Sequence, residues 1–223
     1  MSHPLDNPVW ASLTSKHSSL ARKTANAARY PADVAPFVAV DAADAGAADQ
    51  LSSLVDRGES VLFVGLAPPL PSTWSVEPLV AIAQMTCDSH LLVIDGPPIA
   101  EVSRDQVADM LGLTALVYPH YFRARTIEMG RYFGIYVDGA LVAMAGERMG
   151  FEGHQEISAI CTHPEHTGRG YAQRLTAILS NDILDSGRVP FLHVSHQNGR
   201  AKALYERIGY RIRADIVLLA ARR

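Results

Sequence analysis

The run Cys161-Thr162-His163-Pro164-Glu165-His166-Thr167-Gly168-Arg169-Gly170-Tyr171-Ala172 sets two glycines and an arginine between an apolar strand and an amphipathic helix. Such a turn points unpaired backbone N–H groups and the positive end of a helix dipole at one spot, and phosphates bind at such spots. Gly168 and Gly170 let the backbone approach a pyrophosphate closely, and Arg169 adds a side-chain donor. An ordinary strand-to-helix turn would use the same glycines, so a second segment matters. Asn198 reads as the N-cap of a later helix, with Ala201 and Tyr205 one and two turns along one face of it. Taken alone, Tyr205 would be a core aromatic in the stripe Ala201, Leu204, Tyr205, Ile208.

These residues need a scaffold, and 223 residues with 48% hydrophobic content suffice for one large domain or two small ones. A formal net charge of -3 argues against broad phosphate neutralisation on nucleic acid while allowing a small basic site. Cys87 and Cys161 lie far apart and no apolar signal segment opens the chain, so a reducing, cytoplasmic setting is expected. No window approaches the roughly 18 consecutive apolar residues of a membrane span. Neither nucleic acid nor a membrane is an expected partner.

Ala11 to Arg29 reads as a helix ending before Pro31, Val34 to Val40 as a strand, Asp41 to Arg57 as a helix closed by Gly58, and Ser60 to Ala67 as a strand. Pro68, Pro69 and Pro71 form a link that no helix or central strand tolerates. Val80 to Met85 and His90 to Ile94 read as short strands, and Ser103 to Val117 as a helix capped by Ser103. Ile127 to Val137 and Ala140 to Met149 flank Asp138-Gly139 as a hairpin. Then follow strand Glu156 to Thr162, helix Gly170 to Ser186, strand Pro190 to Ser195, helix Arg200 to Ile208 and a last strand Tyr210 to Ala221, with Gly187 and Gly209 as left-handed caps. The order predicts an α/β fold with a mixed sheet and helices against its faces. The glycine turn then sits at the carboxyl end of a strand, where ligands of open sheets gather.

The turn is neither a phosphate-binding loop ending in Gly-Lys-Ser/Thr nor a dinucleotide fingerprint. It resembles the Q/R-x-x-G-x-G/A signature of the GNAT acetyltransferase superfamily, with Thr167, Gly170 and Ala172 in the first, fourth and sixth places. Thr167 departs from the usual Gln or Arg. Asn198, Ala201, Leu204-Tyr205 and Gly209-Tyr210 are similar to the superfamily's second segment, N-x-x-A-x-x-L-Y-x-x-x-G-F/Y. With Ile160-Cys161-Thr162-His163-Pro164, the last hundred residues look like the glycine N-acyltransferase-like C-terminal branch. The resemblance implies a GNAT-type mixed, mainly antiparallel sheet with helices on both faces, in a catalytic domain over residues 101–223. Residues 1–100 would form an N-terminal α/β extension, a degenerate half of similar design that shapes the acceptor pocket or a dimer contact.

It also implies acetyl-CoA as co-substrate and no metal. The pantetheine arm would pair like an added strand with Ile160, Cys161 and Thr162, and the pyrophosphate would lie on Thr167, Gly168, Arg169, Gly170, Tyr171 and Ala172. Asn198, Ala201 and Tyr205 would line one wall. Transfer to an amine needs a proton for the departing thiolate, and the Tyr205 hydroxyl is the candidate acid; at ordinary values a phenol protonates a thiolate uphill by roughly 2 kcal/mol. Glu156 is the first candidate for general base and Glu147 the second, although a solvated strand-end carboxylate is the plainer reading of each. Tyr118, Tyr121 and Phe122 are candidates for an acceptor-facing loop, or for burial under the hairpin. Cys161, His163 and His166 also read as a weak zinc set. The acceptor stays open among polyamine, amino acid, antibiotic and protein N-terminus. A catalytically silent acyl-CoA-binding module is the alternative function.

Overall fold

The computed structural model describes residues 3–79, 81–119 and 121–223. In chain order the elements are α1 (Pro8–Leu13), β1 (Arg22–Lys23), β2 (Ala27–Arg29), β3 (Val38–Val40), α2 (Ala45–Leu54), β4 (Ser60–Val64), β5 (Ser75–Pro78), β6 (Ile82–Thr86) and β7 (Ala100–Glu101). The second half carries α3 (Val107–Val117), β8 (Tyr132–Val137), β9 (Ala140–Phe151), β10 (His154–Thr162), α4 (Tyr171–Asp185), β11 (Val189–Ser195), α5 (Gly199–Ile208), β12 (Arg211–Ile216) and β13 (Leu218–Arg222).

The main sheet has seven strands in the order β12-β6-β11-β10-β9-β8-β7, and only β10 and β11 run parallel. This is the expected mixed, mainly antiparallel sheet. Strand alternation sorts its side chains. Leu192 and Val194 of β11 join Tyr205 of α5 in one core, while Phe191 joins Val9 and Leu13 of α1 in another. Likewise Ala143 and Ala145 of β9 meet Leu175, Leu179 and Ile183 of α4, whereas Met144 meets Met110 and Leu113 of α3. Helices α4 and α5 therefore cover one face, and α1 and α3 the other.

Local chemistry explains the hairpin and the helix ends. Asp138 and Gly139 both take positive φ, 51° and 81°, as a tight two-residue hairpin requires. Ser103 and Gln106 form a reciprocal capping box at the turn leading into α3.

Three expected elements come out differently. Helix α1 stops at Leu13, because the hydroxyls of Thr14 and Ser15 donate back to the carbonyls of Trp10 and Ala11, at 2.7 and 2.5 Å, and residues 22–29 turn back as the β1-β2 hairpin. His90 to Ile94 is not a strand. It runs as a strap along α4, where Asn181 bonds both the N–H and the carbonyl of Leu91 and Arg174 donates to the carbonyl of Ile94. The final strand is two: β12 edges the main sheet, and after Val217 the chain crosses to β13 in a sheet of order β4-β13-β5. Val80, expected to open a strand, lies outside the described residues, and β6 begins at Ile82.

Strands cross the expected division near residue 100 in both directions. β6, from the first hundred residues, sits between β11 and β12, and β13, from the last residues, sits between β4 and β5. A fragment of residues 101–223 would leave β11 and β12 without the strand that joins them. Produced alone, that fragment should show no cooperative thermal melt by circular dichroism, whereas the full chain should; a cooperative melt of the fragment would refute the interdependence.

Candidate active site

Strands β10 and β11 pair at three positions only, His154–Glu156 against Val189–Phe191, and then part. Just past the fork β10 bulges: Ser158 faces Gly146 and Cys161 faces Met144, so Ala159 and Ile160 share one place opposite β9. Ala159 takes φ 53°, a left-handed conformation that costs an L-residue about 1–2 kcal/mol. Strain of this kind re-aims the backbone and gathers at functional sites.

Beyond the fork lies a cavity of about 450 Å3. Ile160, Cys161 and Thr162 form its β10 wall, and Thr167, Gly168, Arg169, Gly170, Tyr171 and Ala172 form the turn at one end. Asn198, Ala201 and Tyr205 contribute from the α5 side. All the residues singled out from sequence as cofactor-binding thus line one space.

The turn is built as an anion cradle. Gly168 and Gly170 have φ of 80° and 78°, and Gly170 caps α4 with no side-chain hydrogen bond, leaving the first N–H groups of a 15-residue helix open. A Cβ on Gly170 would stand 2.7 Å from Ile94 Cδ1, so the strap also demands glycine there. Thr167 is occupied locally, its hydroxyl donating to the Pro164 carbonyl at 3.1 Å. Arg200 and Arg207, which sequence reasoning missed, join Arg169 on the lining, and no described lining residue is acidic. Thr162 Oγ1 and His166 Nδ1 are buried without a hydrogen-bond partner. An electropositive cavity with orphaned polar atoms and an open helix start fits an elongated, anionic ligand such as acetyl-CoA. Asn198 caps α5 as expected, its Oδ1 accepting from Ala201 N at 3.2 Å.

Tyr205 is buried, and burial, with the Cys161 thiol nearby, raises its pKa well above that of an ordinary phenol. Burial also pushes the Cys161 thiol up to about 12. The weak zinc set is otherwise employed: His163 Nδ1 accepts from Glu165 N at 3.3 Å and stacks edge-on against His166.

Glu156, the first candidate for general base, does not line this cavity. It is fully buried on the opposite face of the sheet, at the last paired position before the fork. Burial alone would raise its pKa, but Arg148, at 2.5 and 2.8 Å, and His193, at 2.7 Å, hold it at about 2 against an ordinary 4.5. A carboxylate so stabilised is a poor proton acceptor. Glu147, the second candidate, is paired with Arg131 and Lys16 in a separate cavity of about 430 Å3.

The Glu156 pair is part of a longer chain of bonds that sequence reasoning missed. Arg213 Nη1 donates to Gln84 Oε1 at 2.8 Å, Gln84 Nε2 to His193 Nε2 at 3.0 Å, and His193 Nδ1 to Glu156. Only one direction of donation satisfies every link: His193 Nε2 accepts from Gln84 and Nδ1 donates to Glu156. The available signal was a polar residue inside an apolar strand, His193 alone among apolar neighbours in β11 and Arg148 beside Glu147 in β9. Arg148 in turn borders a small pocket walled by Tyr118, Tyr121 and Phe122, the three aromatics expected near the acceptor.

A family model described as FR47-like protein matches residues 132–218. A structure of a GNAT-family protein from Novosphingobium aromaticivorans DSM 12444 is similar with 32% identity and a TM-score of 0.90, over 100% of this chain and 99% of that one. A GCN5-related N-acetyltransferase from Kribbella flavida shares the fold with 18% identity and a TM-score of 0.71, over 99% of this chain and 96% of that one. A search of curated proteins finds no match.

Because the folded pKa of Glu156 is depressed, its stabilisation is present above the unfolded value of 4.5 and is lost as pH falls through about 2. The shift corresponds to on the order of 3 kcal/mol. Denaturant unfolding at pH 7 and pH 3 should show the wild type losing more stability than Glu156→Gln over that interval; equal losses would refute the assignment.

Proposed function

The chain belongs to the GNAT family of acetyltransferases, and from that premise we propose that it moves an acetyl group from acetyl-CoA to a primary amine by direct attack in a ternary complex. The observation that carries the reading is the cavity at the β10-β11 fork, with an open helix start at one end and the otherwise buried Tyr205 on its wall. Acetyl-CoA supplies an activated acyl carbon and a pyrophosphate handle.

The residues then divide the work. The N–H groups of Gly168 to Ala172 and the guanidinium of Arg169 hold the pyrophosphate, with Arg200 and Arg207 adding positive charge. The free edge of Ile160 to Thr162 takes the pantetheine amides as a strand would. The β10 bulge turns backbone N–H groups out of the β9 ladder, where they can polarise the thioester carbonyl.

As the amine nitrogen bonds the carbonyl carbon and the C–S bond breaks, Tyr205 gives its proton to the departing sulfur. The proton lost by the amine later restores the phenol through solvent. Burial raises the Tyr205 pKa and so weakens it as an acid, yet the same surroundings push the Cys161 thiol to about 12. A thiolate departing in the same surroundings would be made more basic by the same desolvation, which opposes that weakening.

No carboxylate lines either the cavity or the small pocket among the described residues. The amine therefore reacts from its neutral form without a carboxylate base. Two outcomes follow. Tyr205→Phe should lower kcat by about a hundredfold, within the usual range for general acid catalysis, with little change in the KM for acetyl-CoA. The wild-type kcat/KM should rise about tenfold per pH unit below the pKa of the amine, with no limb in the carboxylate range. Thiol release across an amine panel checks both. Tight acetyl-CoA binding without turnover on any amine would instead support the silent acyl-CoA-binding module.

A further inference from the structure

The small pocket on the far side of the β10 bulge is built from both halves of the chain. Ala35 and Phe37 come from the N-terminal portion, Tyr118, Tyr121 and Phe122 from the segment after α3, and Ser158 from β10. Its volume is about 30 Å3, enough for a carboxylate or a water or two but not for a long side chain. Among the described residues that line it, Arg148 carries the only charge.

We propose that the acceptor is an amine bearing a carboxylate next to it, a free amino acid by its chemistry, and that Arg148 binds that carboxylate. The proposal rests on the acetyl-transfer reading and names the substrate class for it. Nε and Nη2 of Arg148 donate to Glu156, while Nη1 donates to no acceptor among the described residues. The Phe37 ring covers the guanidinium, 4.9 Å from centroid to Cζ, while 19% of the Arg148 side chain stays exposed, so its uncommitted nitrogen is framed by an aromatic ring and still reachable by a ligand group. Glu156 stands behind Arg148 and does not line the pocket; an occupant meets the cation, not the anion.

Distance along the chain places the amine. Ser158 and Ala159 line this pocket, and the next residues, Ile160 to Thr162, line the acetyl-CoA cavity. Tyr118 and Val117 bridge the two spaces in the same way. In an α-amino acid one carbon separates amine from carboxylate, so a carboxylate on Arg148 keeps the nitrogen in the same small pocket that Ala159 of the bulge lines. A polyamine would bring a second cation toward Arg148, and a peptide N-terminus lacks the neighbouring carboxylate. The bonds from His193, Gln84 and Arg213 position Glu156 and thereby fix the direction of the Arg148 fork.

The test compares matched compounds on the unaltered protein, so it does not depend on whether any variant folds. Alanine, leucine and phenylalanine are each set beside their primary amide and decarboxylated amine. Calorimetric binding to the CoA complex and thiol release from acetyl-CoA are both measured. For at least one of the three the free acid should bind at least tenfold more tightly than its amide and amine and show a kcat/KM at least tenfold higher. In Arg148→Met/Glu156→Gln, which removes both charges together, that preference should fall below threefold. Amides or decarboxylated amines that bind and react as well as the acids, or binding by none of the acids, would overturn the carboxylate assignment. Thiol release with those other amines would meanwhile leave acetyl transfer standing. Acid-selective binding without thiol release from any amine would overturn the transferase reading while supporting the pocket's preference.

Discussion

Glu156 and Arg148 bring opposite charges into the interior of a sheet, where an ionised carboxylate without partners would cost several kcal/mol. Desolvation opposes such a pair, so the buried carboxylate persists only if its oxygens are answered by donors. The answer spans five neighbouring strands: Arg213 on β12, Gln84 on β6, His193 on β11, Glu156 on β10 and Arg148 on β9. Each residue is usable only if the next is present. A strand missing from the middle would strand charge in the core, which makes the inserted β6 an electrostatic as well as a hydrogen-bonding requirement.

The same bonds set the geometry of the fork. Backbone pairing between β10 and β11 ends at Glu156 with Phe191, and the bond from His193 to Glu156 ties the two strands where the ladder stops. Above that tie the strands separate and the cavity walled by Ile160 to Thr162 begins. The ion pair thus touches the reaction from beneath the sheet: it holds the strands together at the base of an opening that must stay unpaired to receive a ligand. A carboxylate employed in this way gains most by staying ionised, which is the reverse of what a proton-accepting base requires.

Local signals made half of this legible in the sequence. The glycine turn, the Asn198 cap and the Asp138-Gly139 hairpin depend on residues within a few positions of one another, and each lies where spacing put it. Glu156 was visible as a carboxylate on the right strand, but its partners come from positions 84, 148 and 193, and nothing local distinguishes a carboxylate facing a ligand from one facing an arginine. The N-terminal serines and threonines carried enough helix-compatible neighbours to suggest a long helix, yet their hydroxyls bond back to the preceding turn and end it. The break at Val217 was hidden for a different reason: the residues on both sides suit a strand, and only the existence of a second sheet decides that there are two.

The N-terminal portion completes the polar chain, and this explains why it is interlaced with the rest of the fold. Leu5 offers its carbonyl to Gln84, Asp6 pairs with Arg213 at the far end, and Phe37 covers Arg148 at the near one. Without that cover the charged face of the sheet would be open to water and the Glu156 pair would be screened. The cover adds an aromatic wall to the pocket beside Arg148, whose guanidinium stays partly exposed. In this fold the residues that shield a structural ion pair also wall the pocket in which its arginine keeps one nitrogen uncommitted, and a ligand group is the partner proposed for that nitrogen.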